Sequence, residues 1–208
     1  MFYLKEKKEQ IMAISTLIDL TLNEGKDSSQ HYITLFALIL SLKAKNVLEL
    51  GVRNGNTTKP FLLGLDYVKG NLTSVDIEDN PYLRNKLKDF TNWNFIVSDS
   101  IKFLESVKPG TIYDLVFVDD WHDGLHVKKQ LELIEKMITP SSLVVLHDCM
   151  CLNTQPNYHY YQDKEGEFAN GGPWRAIKEL DKSVWEYVTI PVNNGLTILR
   201  KLGEELVF

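Results

Sequence analysis

Two periodicities divide the chain. Up to about residue 42 the apolar positions recur at helical spacing: Ile14, Leu17, Ile18 and Leu22 predict one face of an N-terminal helix, and Leu35, Leu38, Ile39 and Leu42 one face of a second. Beyond that point short apolar runs alternate with helical stretches. The run "NVLELG" precedes a helix from about Thr57, "LTSVDI" one after Pro81, "NFIVSD" one from Ser100 to Val107, and "DLVFVDD" one from Leu125 to Ile138, before "SLVVLHD" closes the series. These five runs are apolar nearly throughout, so they predict strands buried on both faces. Strands of that kind separated by helices make βαβ units, a parallel sheet covered on either side.

The end of the chain breaks this rhythm. "VWEYVTI" (184–190) and "LTILRK" (196–201) are joined through Pro191 and "NNG", residues suited to the left-handed backbone of a tight turn, which predicts an antiparallel hairpin. The fold expected is therefore α/β: a mostly parallel, seven-stranded Rossmann-like sheet with a C-terminal antiparallel hairpin and helices on both faces. A chain of 208 residues is long enough for one well-buried core, so a single domain over 1–208 is expected, with a helical extension over 1–30. The irregular stretch 149–173, "CMCLNTQPNYHYYQDKEGEFANGGP", is too long and too aromatic for a simple connection and reads as a lid or substrate loop. "GGPWRAI" reads as a helix start with Pro173 in the first turn.

Charge and composition narrow the partners. The net charge is −5, and the basic stretch "LKEKKE" carries acids among its lysines, so nucleic acid is not an expected partner. The longest apolar run, "LFALILSL", is far below the ~20 residues needed to span a bilayer, and the start lacks an apolar signal core. A soluble cytoplasmic protein is expected. Cys149 and Cys151, with one residue between them, read as free thiols.

The candidate chemistry lies at strand ends. Ligands of an open α/β sheet bind outside the carboxyl ends of its strands. Here those ends read Glu49-Leu50-Gly51, Asp76-Ile77-Glu78, Ser98-Asp99, Asp119-Asp120 and His147-Asp148, a carboxylate at every one. A single such Asp commonly caps the next helix, but five in one sheet point to a ligand. Gly51 and Gly55 lack the third glycine of the dinucleotide fingerprint, and Glu49 beside them would repel phosphates while suiting a positive charge. Asp76 suits ribose hydroxyls. A nucleoside bearing a cation fits this set better than a pyrophosphate cofactor does.

Taken in order, "VLELGVRNGNTT", "TSVDIED", "FIVSDS", "DLVFVDDWHDG", "LVVLHD" and the terminal hairpin resemble a class I S-adenosylmethionine-dependent methyltransferase, from about residue 30 to 201. Within that class, "FVDDWHDGLHV" with "LVVLHD" is similar to a small-molecule O-methyltransferase-like branch of the methyltransferase family 24 type. The resemblance implies S-adenosylmethionine as cofactor and a small-molecule acceptor methylated at a hydroxyl oxygen. It implies a cofactor loop shaped by Glu49, Gly51 and Gly55, with Glu49 near the methionine amino group. Asp76 would hold the ribose, Asp99 the adenine with Ser98 or Ser100 nearby, and Asp119 would border both cofactor and reaction centre.

Metal-dependent relatives of this branch hold a divalent cation at the ends of the fourth and fifth strands, the positions of Asp119 and Asp148. The usual acid-acid or acid-amide pair of the fifth strand is His147-Asp148 here, so the resemblance leaves Mg²⁺ or another divalent ion to Asp119 and Asp148, with His147 a third ligand for a softer metal. His122 matches the branch's histidine and is the candidate general base or ligand; alternatively it orders the loop by hydrogen bonds to Asp119 or Asp148. Asp119, His122 and Asp148 are thus the catalytic candidates. His126 stands four residues after His122, a spacing that can clasp zinc, without the acid of H-E-x-x-H. His31 and His159 show no constellation. Tyr158, Tyr160, Tyr161, Phe168 and Trp121 either line an acceptor pocket or cover the core or an interface between copies in a homo-oligomer. Two other functions stay open: an NAD-dependent oxidoreductase, disfavoured by the absent third glycine and the hairpin, and a non-catalytic protein that keeps this fold to bind a cofactor or partner, disfavoured by the intact acids.

Overall fold

The apolar runs form five parallel strands: β1 (Asn46–Leu50), β2 (Asn71–Asp76), β3 (Trp93–Val97), β4 (Leu115–Val118) and β5 (Leu143–His147). The hairpin supplies β6 (Trp185–Ile190) and β7 (Leu196–Lys201). Together they make one seven-stranded sheet in the order β3-β2-β1-β4-β5-β7-β6, in which β7 runs antiparallel to both β5 and β6. The computed structural model describes residues 14–23, 25, 28–150 and 169–203. Its helices are α1 (14–23), α2 (Tyr32–Leu42), α3 (Thr58–Val68), α4 (Pro81–Lys86), α5 (Ser100–Ser106), α6 (Gly124–Ile134) and α7 (Gly172–Lys178).

The pleat explains why the strands are apolar on consecutive positions. Val47, Leu72, Phe95 and Phe117 point to one face, into a core closed by Leu35, Phe61 and Leu83 of α2, α3 and α4. Leu48, Leu50, Val116 and Val144 point to the other, against Leu104, Val127 and Ile177 of α5, α6 and α7. Each fully buried Leu or Phe of this kind contributes roughly 2 to 3 kcal/mol. The hairpin turns on three successive left-handed residues, Asn193, Asn194 and Gly195 (φ 48°, 67° and 86°), the chemistry read from "NNG".

Two elements differ from expectation. In α1, Leu17 is buried against Tyr32 and Phe36 with Ile14 and Leu20 beside it, while Ile18 and Leu22 are 46% and 75% exposed. The helix rests on α2 and α3 along a narrow seam, so only part of its apolar stripe is covered. α6 stops at Ile134 and continues as a 3₁₀ turn, Glu135–Met137, rather than as regular helix to Ile138. Of the lid segment 149–173, residues 151–168 lie outside the described residues, as do residues 1–13 of the extension. α7 begins where "GGPW" predicted, with Pro173 in its first turn. No helix among the described residues is long and apolar enough to cross a membrane.

Strand order reverses between β1 and β4, and the crevice outside their carboxyl ends is where an open α/β sheet takes its ligand. The ladders run just past those ends: Gly51 donates its amide to Val75 at 2.9 Å and Asp119 to Leu50 at 2.8 Å.

Candidate active site

The loop after β1 is shaped by protein contacts. Gly51 has φ +88°, and a Cβ there would lie 2.1 Å from the Asp119 carbonyl oxygen. Gly55 has φ +71°, and its Cβ would meet Leu83 at 2.5 Å. The resemblance implied that these glycines shape a cofactor loop; the protein neighbours they admit are the end of β4 and the side of α4. Asp76 fastens this loop: its Oδ2 accepts from the amides of Val52 and Arg53, each at 2.8 Å, and its Oδ1 from Glu78 at 2.9 Å. Arg53 takes a left-handed conformation, and Asn80 donates to its carbonyl at 2.8 Å.

Glu49 is 0% exposed. Its carboxylate accepts from Thr57 at 2.7 Å, Thr58 at 2.9 Å and Ser74 at 2.6 Å. None of these hydroxyls was singled out in the sequence. The signal was present for Ser74, which pairs with Glu49 across β1 and β2 and so shares its face. Burial pushes the Glu49 carboxyl up to about 7, against the three hydroxyls that favour its charge. A pH dependence follows. Below pH 4.5 both folded and unfolded chains hold this proton; between 4.5 and about 7 only the folded chain does, so stability falls as pH rises and levels off above. Urea unfolding across pH 4 to 8 is expected to show Glu49→Gln gaining roughly 3 kcal/mol on wild type over that interval. A constant difference between the two would sink this account.

Four side chains from the ends of β4 and β5 converge beside the loop. His122 Nε2 lies 3.4 Å from Asp119 Oδ1 and 3.0 Å from Asp148 Oδ2. His147 Nδ1 lies 3.3 Å from Asp119 Oδ1 and 3.5 Å from Asp148 Oδ2, while its Nε2 faces the Asn193 carbonyl at 3.0 Å. With acceptors against both nitrogens, His147 is placed to carry both protons. Although burial works the other way, the charge and hydrogen bond of Asp119 hold its pKa well above the usual value. Asp119 and Asp148 are held low despite burial, Asp119 chiefly by the charge of His147 and Asp148 chiefly by the hydrogen bond from His122. Asp148 sits at φ 54°, a left-handed conformation that Asp and Asn adopt more readily than other non-glycine residues. Cys149 behind it is buried and free, its thiol pushed up to about 12 by burial.

His31, for which the sequence offered no constellation, belongs to this region. Its Nε2 is 3.2 Å from the same Asn193 carbonyl, and its ring stands edge-on to His147 at 5.5 Å. Burial and then the charge of His147 lower its pKa. Among the described residues, the cluster that could hold a metal ion is Asp119, His122 and Asp148, whose ligand atoms lie within 4.8 Å of one another. His147 is not part of this group; its Nδ1 lies against the two carboxylates and its Nε2 against the Asn193 carbonyl.

The remaining strand-end acids have other partners. Asp99 caps α5, accepting from Lys102 at 2.9 Å, and Asp123 caps α6 through Leu125 and His126. The Ser100 hydroxyl donates to Asp120 at 2.5 Å and accepts from Gln130 at 3.0 Å. His126 Nε2 reaches Asp120 at 3.3 Å and Ser100 at 3.2 Å, so His122 and His126 serve different clusters and form no zinc clasp. Large apolar side chains remain open at this end of the sheet, among them Ile77, immediately after Asp76, 71% exposed, and Trp121, 57% exposed. His159, Cys151 and the aromatics from Tyr158 to Phe168 lie outside the described residues.

Residues 48–149 match a family described as a methyltransferase domain. No curated protein matches the sequence. Among solved structures, the chain is similar to the O-methyltransferase TomG from Streptomyces achromogenes, determined with S-adenosylmethionine (18% identity, TM-score 0.68, 92% of this chain and 90% of that one). It is also similar to an O-methyltransferase from Bacillus cereus in complex with S-adenosylhomocysteine (15%, TM-score 0.61, 93% and 90%). A third likeness is to the N-methyltransferase NodS from Bradyrhizobium japonicum (16%, TM-score 0.58, 88% and 99%). At these identities the likeness is one of fold. A methyltransferase-domain match that runs from β1 to Cys149, on this sheet order, gives the chain the Rossmann-like fold of the methyltransferases it resembles.

Proposed function

We propose that this protein transfers the methyl group of S-adenosylmethionine to a hydroxyl oxygen of a small-molecule acceptor. The observation that carries the reading is the convergence of Asp119, His122 and Asp148 beside the glycine loop at the strand-order reversal. The fit to the cofactor rests on Asp76 and Asp99, acceptors for ribose hydroxyls and an exocyclic amine, flanked by the exposed apolar faces of Ile77 and Trp121 that a flat base would cover. When bound, the cofactor supplies an already activated methyl group, so the protein's work is alignment and handling of the acceptor's proton.

His122 is the residue for that proton. In the tautomer that donates from Nε2 to Asp148, Nδ1 is the accepting atom, and the two carboxylates stabilise the imidazolium formed. A second reading is favoured by the ligand atoms of Asp119, His122 and Asp148 lying within 4.8 Å of one another. These residues would hold a divalent cation, which lowers the pKa of a bound hydroxyl. The TomG and B. cereus relatives, both O-methyltransferases by name, support oxygen as the acceptor atom, and the chain's net charge of −5 argues against nucleic acid.

Calorimetric titration with S-adenosylmethionine tests this, with NAD as the control ligand and with Mg²⁺ or Mn²⁺ present or absent. Asp76→Ala is expected to lose about 100-fold in affinity, since it removes charge-assisted bonds to the ligand and releases the amides of Val52 and Arg53. Binding strengthened by the cation, and lost from Asp148→Asn, selects the metal reading over the base. Tighter binding of NAD would return the dinucleotide reading, and no binding at all by folded protein would leave a non-catalytic role.

A further inference from the structure

The cluster of Ser100, Asp120, His126 and Gln130 takes no part in the proton handling above. It nevertheless joins the two walls of the crevice: Ser100 begins α5 beside Asp99, and Asp120 stands between Asp119 and Trp121 after β4. Asp120 gathers donors on both oxygens, from Ser100 at 2.5 Å, from Gln130 at 2.8 Å and 3.0 Å, and from His126 at 3.3 Å. Because Ser100 spends its single proton on Asp120, it can only accept from Gln130 and from His126. His126 Nε2 must therefore carry a proton that it shares between Ser100 and Asp120.

From this geometry we infer that Asp120, Gln130 and His126 are positioning residues for the nucleoside half of the cofactor, and that protonated His126 holds the base-binding wall in place. The inference rests on the reading of the crevice as a nucleoside site. A charged imidazole donates to a carboxylate more strongly than a neutral one, because the attraction of opposite charges is added to the hydrogen bond. When His126 loses its charge the grip on Asp120 weakens, and with it the fixed position of Ser100 and of the α5 start that presents Asp99. The groups facing His126 are Asp120 from the loop after β4, Asp99 from the start of α5 and Asp123 from its own helix cap; against the opposing effect of burial they raise its pKa. The transition therefore falls on the alkaline side of an ordinary histidine.

The probe is 5′-methylthioadenosine, which lacks the amino-acid half of the cofactor and so does not report on titration of Glu49. Calorimetry at pH 6.0 and pH 8.5 is expected to show about five- to tenfold weaker binding by wild type at the higher pH. His126→Gln, which keeps a donor but cannot change charge, is expected to bind with the same affinity at both pH values. Asp120→Asn is expected to bind more weakly than wild type at pH 6.0 and likewise to show no pH dependence. A merely structural role would lower thermal stability in these variants yet leave the pH slope intact. A wild-type affinity that does not change with pH, or a His126→Gln variant that keeps the wild-type slope, overturns the inference. S-adenosylhomocysteine titrated in parallel separates the two levels of argument. If it binds while the slope persists in His126→Gln, only the inference fails; if it binds at neither pH, the nucleoside reading falls and the inference with it.

Discussion

Gly51→Ala is expected to cost at least ~3 kcal/mol of stability and to abolish binding of S-adenosylhomocysteine. Two separate effects add. A left-handed alanine costs about 1 to 2 kcal/mol, and the new methyl would lie 2.1 Å from the carbonyl oxygen of Asp119, a backbone atom that cannot rotate aside. Relief requires the β4 end to move, and that end carries Asp119 and Asp120. Gly110 provides the control, since it has φ +86° but nothing within 4 Å of its Cβ position. Gly110→Ala should therefore lose only the conformational part. Urea unfolding of the two variants side by side separates strain from collision, and equal losses would show that the approach of Gly51 to β4 is not rigid.

Asp119→Ala should be as damaging by a different route. It removes the carboxylate nearest to buried His147 and leaves Asp148, 3.5 Å away, as the remaining counter-charge. Breaking a buried pair from one side typically costs about 3 to 5 kcal/mol, because the orphaned charge stays buried. The sign of the pH dependence is set by both partners. Asp119 titrates below its ordinary 3.8 in the folded chain, so its contribution is present above that value and lost as pH falls through the folded pKa. His147 titrates above its ordinary 6.5, so its contribution is complete below 6.5 and lost as pH rises through the raised value. The penalty of Asp119→Ala is therefore expected to be greatest between about pH 4 and pH 6.5. Adding His147→Leu to the variant should recover much of the stability, because replacing both members of a buried pair by apolar groups is often close to neutral. A double variant no more stable than the single one would mean that His147 is not the charge that Asp119 serves.

The strands were legible because their burial leaves a local mark. "LVFV" in β4 is buried at every position, and no amphipathic helix or exposed strand would be written that way. The hairpin was legible because Asn193, Asn194 and Gly195 all need positive φ. At the site, the placement of Glu49, Asp76, Asp99, Asp119 and Asp148 at strand ends followed from the same periodicity, but their partners did not. Gly51 and Gly55 were read as shaping a cofactor loop, and their close approach to Asp119 and Leu83 was not legible from spacing. Asp119 and Asp120 are adjacent in sequence and join different clusters, because successive side chains at the end of a strand point to opposite faces. His31 was passed over because its partners, His147 and Asn193, lie far along the chain.

The sequence by itself determined the alternation of strands and helices, the reversed final hairpin and the set of acids that could reach a ligand, since each is written in local spacing or in the φ demands of single residues. Only the tertiary structure decided which acid is enclosed by hydroxyls, which one fastens the loop, which cap helices and which two share His122 and His147. Those outcomes depend on register between strands and on where loops bring distant residues, and a buried carboxylate takes the donors that this packing delivers.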